Sequence, residues 1–277
     1  MNRVQILSAL ALAAFACGAQ AQQSSYERFR AHNAAMTALQ PAIVTPLVEA
    51  DPRLIQYLRA SFSNGYTAAG TQTTSYGNGR GAGVIAGNRF EFDYLPPSYT
   101  QHNSATEKDG FGDTSTVVKA RIASGNAEHG NFDVAATVSH SFATGSNKNG
   151  ALTDAWAPTL AGCYAFRQFN AQSSLGGTMP TGKIAAQGRT IAWNALAQAH
   201  LSRHVWLEVE NNASFYFEGS HNGKMQNFIT PAAFLVVRRK QWEPAHAYVI
   251  FDSGMQIATS GFHTCNHNLI SEMRILF

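Results

Sequence analysis

The sequence predicts an all-β fold, namely a transmembrane antiparallel up-and-down β-barrel of about 12 strands with a short N-terminal periplasmic helix. Three observations predict this class. The first 21 residues have the layout of an export signal, and most of the later chain alternates between apolar and polar residues. Only 13% of the residues are charged, although 11% are aromatic. A soluble surface usually carries about twice that charged fraction, so an exterior that faces lipid explains the shortage.

The N-terminus predicts export. Arg3 supplies a basic start, residues 6–15 are apolar, and Ala19-Gln20-Ala21 is a small-residue cleavage site before Gln22. The apolar stretch is too short to span a bilayer. Cys17 raises a lipoprotein alternative, but the residues before it form a poor lipidation motif. We therefore expect residues 1–21 to be a signal peptide that is cleaved, and the mature protein to lie in the cell outer membrane.

Net charge, cysteine content and apolar segments each limit the interpretation of the chain. Loss of Arg3 with the signal peptide would lower the formal net charge from +3 to +2, which is too small to indicate a nucleic-acid partner. Cys163 and Cys265 would remain, and whether they pair is left open by the sequence. No later segment has the 18 or more apolar residues of a membrane-spanning helix.

Residues 22–52 differ from the rest of the chain. Residues 26–39 have helical spacing of their apolar side chains, and Pro41, Pro46 and Pro52 interrupt it. We expect a short periplasmic helix and a linker here, followed by the barrel over residues 53–277.

Alternation of apolar and polar residues sets the predicted strands. In the last one, Leu269, Met273 and Ile275 share one face, and Glu272 and Arg274 lie on the other. These runs are longer than strands of soluble sheets and reach the roughly 9–11 residues that cross a membrane. The predicted strands are 53–67, 77–87, 89–99, 110–123, 131–145, 157–167, 170–180, 188–201, 204–219, 226–240, 244–260 and 265–277.

The connections support a barrel with both termini in the periplasm. Tight connections such as residues 87–88 and 168–169 alternate with longer ones at 68–76, 100–109 and 145–156. Short periplasmic turns and longer outer loops produce this pattern, and an even strand number returns the chain to its starting side. Counts of 10 or 14 strands stay open.

Charged positions on the polar faces are expected to line the interior, because a charge facing hydrocarbon is costly. We expect Glu91 and Asp93 to pair with Lys119 and Arg121, Arg59 to meet Glu272 or Arg274, and Glu208 and Glu210 to lie between the strands that bear His200 and Arg238 or Arg239, as a charged network across the lumen. Two interpretations remain: ion pairs that stiffen a small barrel, or a selectivity element along a narrow passage. The predicted lumen-lining residues are Arg59, Glu91, Asp93, Lys119, Arg121, His200, Glu208, Glu210, Asp252, Glu272 and Arg274.

Aromatic residues near strand ends are typical of the girdles at the two membrane interfaces. The residues concerned are Tyr57, Tyr66, Tyr94, Tyr99, Trp193, Trp206, Tyr216 and Trp242.

No motif predicts catalysis, a metal or a cofactor. In a strand, His140 and its neighbours Ser139 and Ser141 point to opposite faces, so neither serine is a natural nucleophile for it. His263 and His267 flank Cys265 with a spacing that matches no common zinc site. We therefore expect a protein that is not an enzyme.

Several short motifs resemble a family of outer-membrane proteins named after the meta-pathway of phenol degradation. They are Gly110-Phe111-Gly112-Asp113 with Lys119-Ala120-Arg121, Met179-Pro180-Thr181-Gly182, Gly87-Asn88-Arg89, and the terminal Phe277. The resemblance covers roughly residues 80–277. It implies an outer-membrane barrel, with some members proposed to admit aromatic or other hydrophobic compounds. It also implies that Met273, Ile275 and Phe277 form the signal read by the barrel-assembly machinery.

Taken together, the sequence favours an outer-membrane channel or uptake protein for small solutes, including hydrophobic or aromatic ones, in contact with outer-membrane lipid. The main alternative is a barrel without transport that serves a structural or surface-interaction role through loops 100–109 and 145–156. An outer-membrane lipid hydrolase is the least favoured option.

Overall fold

The computed structural model describes residues 25–67, 69–238 and 247–277. The expected signal peptide, Arg239 and Trp242 lie outside these residues. The described chain begins with helix α1 (Ser25–Ala38), and a short helix α2 (Ile184–Gln187) lies between two later strands. No helix in the described part of the chain is both long and apolar enough to cross a membrane.

The rest of the described chain is mostly β-strand. The strands are β1 (Tyr57–Thr67), β2 (Gln72–Tyr76), β3 (Gly81–Ala86), β4 (Phe90–Leu95), β5 (Tyr99–Asn103), β6 (Gly110–Phe111), β7 (Thr114–Gly125), β8 (Phe132–Phe142), β9 (Ala155–Phe166), β10 (Phe169–Pro180), β11 (Arg189–His200), β12 (Val205–Phe217), β13 (Met225–Val237), β14 (Tyr248–Ala258) and β15 (Cys265–Leu276).

These segments form a closed antiparallel barrel of 12 strands. Each of the later strands pairs with its neighbours in sequence, and β15 pairs back onto β1, so the sheet has no free edge at the closure. We call the end that holds Tyr57 and Phe277 the terminal end, and the opposite end the loop end. The predicted fold class is confirmed, and the strand count is the expected one.

Three barrel strands are each built from two segments. The second comprises β2 and β3, the third β4 and β5, and the fourth β6 and β7. The pairing shows this, because β1 pairs with both β2 and β3, β5 pairs with β2, and β4 pairs with β7. Pro96 and Pro97 separate β4 from β5, and proline cannot donate to a ladder. The Gly112 N–H donates to Ser98 O over 2.8 Å across the break.

Most strand boundaries differ from expectation by a few residues, and two differences bear on the site. The first strand begins at Tyr57 instead of residue 53, because residues 53–56 are bonded to side chains inside the barrel. Residues 72–76 and 100–103, expected to lie in loops, belong to strands β2 and β5, which extend the wall at the loop end.

Burial is inverted relative to a soluble protein. Outward positions carry large apolar side chains that stay exposed, such as Leu160, Tyr164 and Val209, whereas Lys119 and Glu208 are only 5% and 2% exposed. The apolar rows of the strands do not pack against a second layer, as they would in a soluble sandwich. An exterior of this kind is stable in hydrocarbon, and the polar groups are hidden in the interior.

Candidate functional site

A hairpin that precedes the first barrel strand lies inside the lumen. We call residues 40–56 the lumen hairpin. The chain leaves α1, passes through a bend at residues 47–49 and returns to Tyr57. Its groups are bonded to side chains on β4, β7, β11, β12 and β15, which surround it. The linker expected in the periplasm therefore lies inside the barrel.

The composition of the hairpin explains why it needs partners from the wall. Pro41, Pro46 and Pro52 keep it out of regular structure, so most of its N–H and C=O groups have no partner within the segment. Buried main-chain groups without partners are costly. Leu47 and Leu54, at 1% and 0% exposure, add apolar contact inside the lumen.

Two carboxylates of β12 hold the bend of the hairpin. The Leu47 N–H donates to Glu208 Oε1 over 3.1 Å. The Val48 N–H donates to Glu210 Oε1 over 2.8 Å, and the Glu49 N–H donates to Glu210 Oε2 over 3.0 Å. Glu208 also accepts from Gln198 Nε2 at 2.7 Å. Successive amide dipoles thus replace a cation as partners of buried carboxylates.

Two arginines hold the opposite side of the bend through carbonyl groups. Arg274 donates to Thr45 O over 2.8 Å, and Arg59 donates to Leu47 O over 3.2 Å. Both guanidinium groups also form ion pairs with Glu272. The expected contact of Arg59 with Glu272 is present, and it joins the first strand to the last.

The returning arm of the hairpin is bonded to a second ion pair. Lys119 Nζ lies 2.7 Å from Glu91 Oε1 and donates to Arg53 O over 2.8 Å. The Ile55 N–H donates to Glu91 Oε2 over 2.5 Å. The expected pairing of Glu91 with Lys119 is present, and the two residues lie directly opposite each other in the sheet.

Within the hairpin, Arg53 and Asp51 form a buried ion pair with a 2.6 Å separation. Burial opposes ionisation of Asp51, but the Arg53 guanidinium outweighs it and holds the pKa of Asp51 below its usual range. The pair makes the hairpin a compact unit, because Arg53 also donates to Ile43 O on the other arm over 2.5 Å.

The remaining predicted lumen residues lie inside the barrel with different partners. Arg121 donates to Gln40 Oε1 of the hairpin and lies 3.7 Å from Asp133, which sequence reasoning missed although it occupies an inward position of β8. Asp252 lies 3.5 Å from Arg274. Whether any of these residues contacts a passing solute stays a prediction.

As expected, the β12 carboxylates lie between β11, which carries His200, and β13, which Arg238 follows. The side-chain contacts of both basic residues are aromatic: the His200 ring stacks on Trp206 with centroids 4.5 Å apart, and the Arg238 guanidinium lies 4.8 Å from the centroid of the Tyr248 ring. Trp206 is 9% exposed and Tyr57 is 8% exposed, so neither belongs to an outer aromatic girdle, unlike the half-exposed Tyr94.

Other candidate chemistry finds no support in the described residues. The His140 ring packs between Phe142 and Trp156, with centroids 4.4 and 4.2 Å away. Cys163 and Cys265 are both free, so the open question of a disulfide is answered in the negative for this structure. Within residues 25–67, 69–238 and 247–277, no group of three His, Cys, Asp or Glu side chains could hold a metal ion.

A cavity of about 300 Å³ lies between the bend of the hairpin and the wall. Strands β1, β4 and β7 to β9 supply the wall, and the hairpin supplies the floor. Other cavities lie nearer the terminal end, one of them lined by Phe29, Asn33, Gln56 and Phe277. The interior is therefore closed by the hairpin but not filled.

Comparison with known proteins identifies the fold. The sequence matches no known protein family, and it matches no curated protein. Among solved structures it is similar to an outer membrane channel from Pseudomonas putida F1, with a TM-score of 0.51 and 11% identity, over 85% of this chain and 100% of that one. It is also similar to the beta domain of the Bordetella autotransporter BrkA, with a TM-score of 0.48 and 9% identity, over 80% of this chain and 99% of that one.

The fold is that of an outer-membrane β-barrel protein. At 11% identity the likeness to the Pseudomonas channel concerns the fold alone. Because no family matches, membership of the meta-pathway family stays a prediction.

Proposed function

We propose that the chain is an outer-membrane channel or uptake protein for small solutes, in which the lumen hairpin is a displaceable closure. One observation carries the proposal: the buried carboxylates of Glu208 and Glu210 are bonded to main-chain N–H groups of a segment that is not part of the wall. Interior charges that only stiffened the barrel would pair among themselves.

The bonding of the hairpin suits reversible closure. Its main-chain groups and the wall groups that bind them are all strongly hydrated when separated, so water replaces the lost bonds when the hairpin leaves. Apolar burial opposes release, because Ile43, Val44, Leu47 and Leu54 of the hairpin are buried and pack against apolar residues of the wall and of α1. Release of the hairpin therefore has to expose these side chains as well as exchange polar contacts for water.

The setting of the proposed channel is the cell outer membrane. Outer-membrane lipid would cover the apolar exterior, and the terminal end would face the periplasm, where α1 lies. Met273, Ile275 and Phe277 would be read by the barrel-assembly machinery after removal of residues 1–21. The solutes would include hydrophobic or aromatic molecules, as the resemblance to the meta-pathway family implies, and no nucleic acid is expected.

The experiment compares the full mature chain with a variant that lacks residues 25–56. All 12 barrel strands remain in that variant, because the deletion ends before Tyr57. In planar bilayers we expect rare openings for the full chain and frequent conductance steps for the deletion. Replacing Glu128, an exposed residue of a turn at the terminal end, with Gln is the matched control and should leave the openings rare.

A shortened barrel that still shows heat-modifiable migration but neither conducts nor swells liposomes would contradict the proposal. That outcome would favour the second candidate, a structural or surface-interaction barrel. One observation favours this candidate: strands on all sides of the lumen bind the hairpin, as a fixed internal support would require.

A further inference from the structure

The cavity beside the hairpin bend contains a carboxylate that has no cationic partner. Glu49 lies at the bend, lines the cavity and is 6% exposed. Its main-chain N–H is bound by Glu210, whereas neither of its side-chain oxygens has a partner in good hydrogen-bond geometry, and the Ser174 hydroxyl is the one nearby group that favours its charged form. A buried carboxylate in this state is costly, unless it binds a proton or a cation.

No basic side chain of the cavity is left to serve Glu49. Lys119 is bonded to Glu91, and Arg59 and Arg274 share Glu272. The charged groups that act most strongly on Glu49 are the carboxylates of Glu210 and Asp51. A cation that entered the cavity would therefore be the first positive charge to pair with Glu49.

A second carboxylate lines the same cavity. Asp93 Oδ1 is buried and accepts no hydrogen bond. Asp93 and the Tyr57 ring both pack against the backbone of Gly83. A Cβ atom at position 83 would lie 2.5 Å from Asp93 Oδ1 and 2.3 Å from the ring, which is too close for either. Gly83 thus leaves room for both side chains to face the lumen.

The walls between these carboxylates are largely apolar. Val48 and Ile55 of the hairpin and Leu95 and Val117 of the wall line the cavity with them. A volume of about 300 Å³ is at the lower end of the range for small-molecule sites. A hydrated metal ion would find apolar surface here, and the described residues contain no metal-binding group of three side chains.

We propose that this cavity binds a small organic ammonium ion, with the ammonium group on Glu49, the apolar part against Val48, Ile55 and Val117, and Asp93 as a second acceptor. The proposal rests on the proposed function, because it names the solute class of that channel. An ammonium group supplies the hydrogen-bond donors and the positive charge that the carboxylate lacks.

Binding is expected to release a proton from the protein. Burial, followed by the charge of Glu210, raises the pKa of Glu49 to about 8, so the empty cavity holds Glu49 largely as the neutral acid at pH 6.5. When the ammonium ion enters, Glu49 gives its proton to the buffer and forms an ion pair with the cation. The ammonium ion keeps its own proton.

The test is calorimetric titration of the purified full chain with benzylammonium at pH 6.5, in two buffers that differ in ionisation enthalpy. We expect saturable binding, release of close to one proton per bound cation, and affinity at least about tenfold higher than for benzyl alcohol or benzoate. Glu49→Gln should lower the affinity at least about tenfold and abolish proton release. Asp93→Asn should lower the affinity less, and Glu128→Gln should change neither.

Three results would overturn the proposal: equal affinity for benzoate, unchanged benzylammonium binding by Glu49→Gln, or complete competition by sodium or calcium at equal concentration. Since the Glu49 carboxylate has no cationic partner and a Gln side chain can still accept from the Ser174 hydroxyl, the Gln variant should keep the hairpin in place, and equal protease resistance of residues 40–56 checks this. If the full chain binds benzylammonium but the variant lacking residues 25–56 does not conduct, the channel alone is refuted. Conductance in that variant without ammonium binding to the full chain would refute the solute class alone.

Discussion

The Glu210 carboxylate on β12 accepts a hydrogen bond of 2.8 Å from the Val48 N–H at the bend of the lumen hairpin. Its second oxygen accepts from the next residue of the bend, at 3.0 Å. A charge of the barrel wall is thus satisfied by the main chain of a segment that lies inside the lumen and is not part of the wall. Under the proposed function, this contact helps to hold the closure in place.

Replacing Glu210 with Gln should loosen the hairpin. A Gln side chain can accept from only one of the two N–H groups, and its NH₂ group would face the other. A charge-assisted hydrogen bond contributes about 1.5–3 kcal/mol, so we expect the open fraction in planar bilayers to rise at least about tenfold. The Glu128→Gln variant should behave as the original chain does. An unchanged open fraction in Glu210→Gln would show that the bend is not a gate.

Replacing Arg274 with Met should destabilise the whole barrel. Arg274 is 1% exposed, is bonded to Glu272 and Thr45 O, and lies 3.5 Å from Asp252. Its loss leaves the buried Asp252 without its cation and Glu272 with Arg59 alone, and breaking a buried pair in this way costs about 3–5 kcal/mol. The temperature at which folded migration is lost on a gel should fall by several degrees, and Arg274→Lys should recover part of the loss. A midpoint equal to that of the original chain would refute the role of this network.

Docking of the hairpin should weaken as the pH rises. Burial and the Glu210 charge raise the pKa of Glu49 from 4.5 to about 8, with Asp51 adding to the rise and the Ser174 hydroxyl opposing it. The docked state therefore holds a proton that the free segment loses, and its stability falls between pH 4.5 and about pH 8. Channel openings, measured without solute, should become more frequent across this window.

The matched variant for the pH effect is Glu49→Gln, which stays neutral at every pH. Its open fraction should be lower than that of the original chain at pH 8.5 and nearly flat over the window. An original chain whose open fraction is constant, or falls with rising pH, would show that Glu49 does not control docking.

Deletion of Phe277 should reduce insertion into the outer membrane. Phe277 follows the strand that closes the barrel, and its N–H donates to Gln56 O over 3.2 Å. If it is the last residue of an assembly signal, we expect a severalfold loss of heat-modifiable protein in outer-membrane fractions. Phe277→Tyr, which keeps the aromatic ring, should retain most of it. Full recovery of the deleted variant would exclude a role in assembly.

Much of the barrel could be predicted because hydrocarbon constrains every second residue of a strand. The closure of β1 on β15, the pairing of Glu91 with Lys119 and the contact of Arg59 with Glu272 all follow from alternation and antiparallel order. Each of these contacts depends only on which face of a strand a residue occupies and on which strand is adjacent, and both can be predicted from spacing along the sequence.

The lumen hairpin could not be predicted in the same way. Residues 40–56 have no periodic pattern, and their partners are main-chain groups, which every sequence contains. The cost of burying those groups becomes visible only once the interior of the barrel is known. Asp133 was missed for a different reason: a bulge directly after Arg121 in β7 shifts the pairing with β8, and uniform alternation does not predict such a shift.

The position of the hairpin in the chain has a consequence for biogenesis. It is synthesised before any strand, yet it binds groups on both β1 and β12, which face each other only after β15 has joined β1. The hairpin can therefore complete its set of contacts only when the cylinder closes, so the first segment to be synthesised is among the last to reach its final bonding.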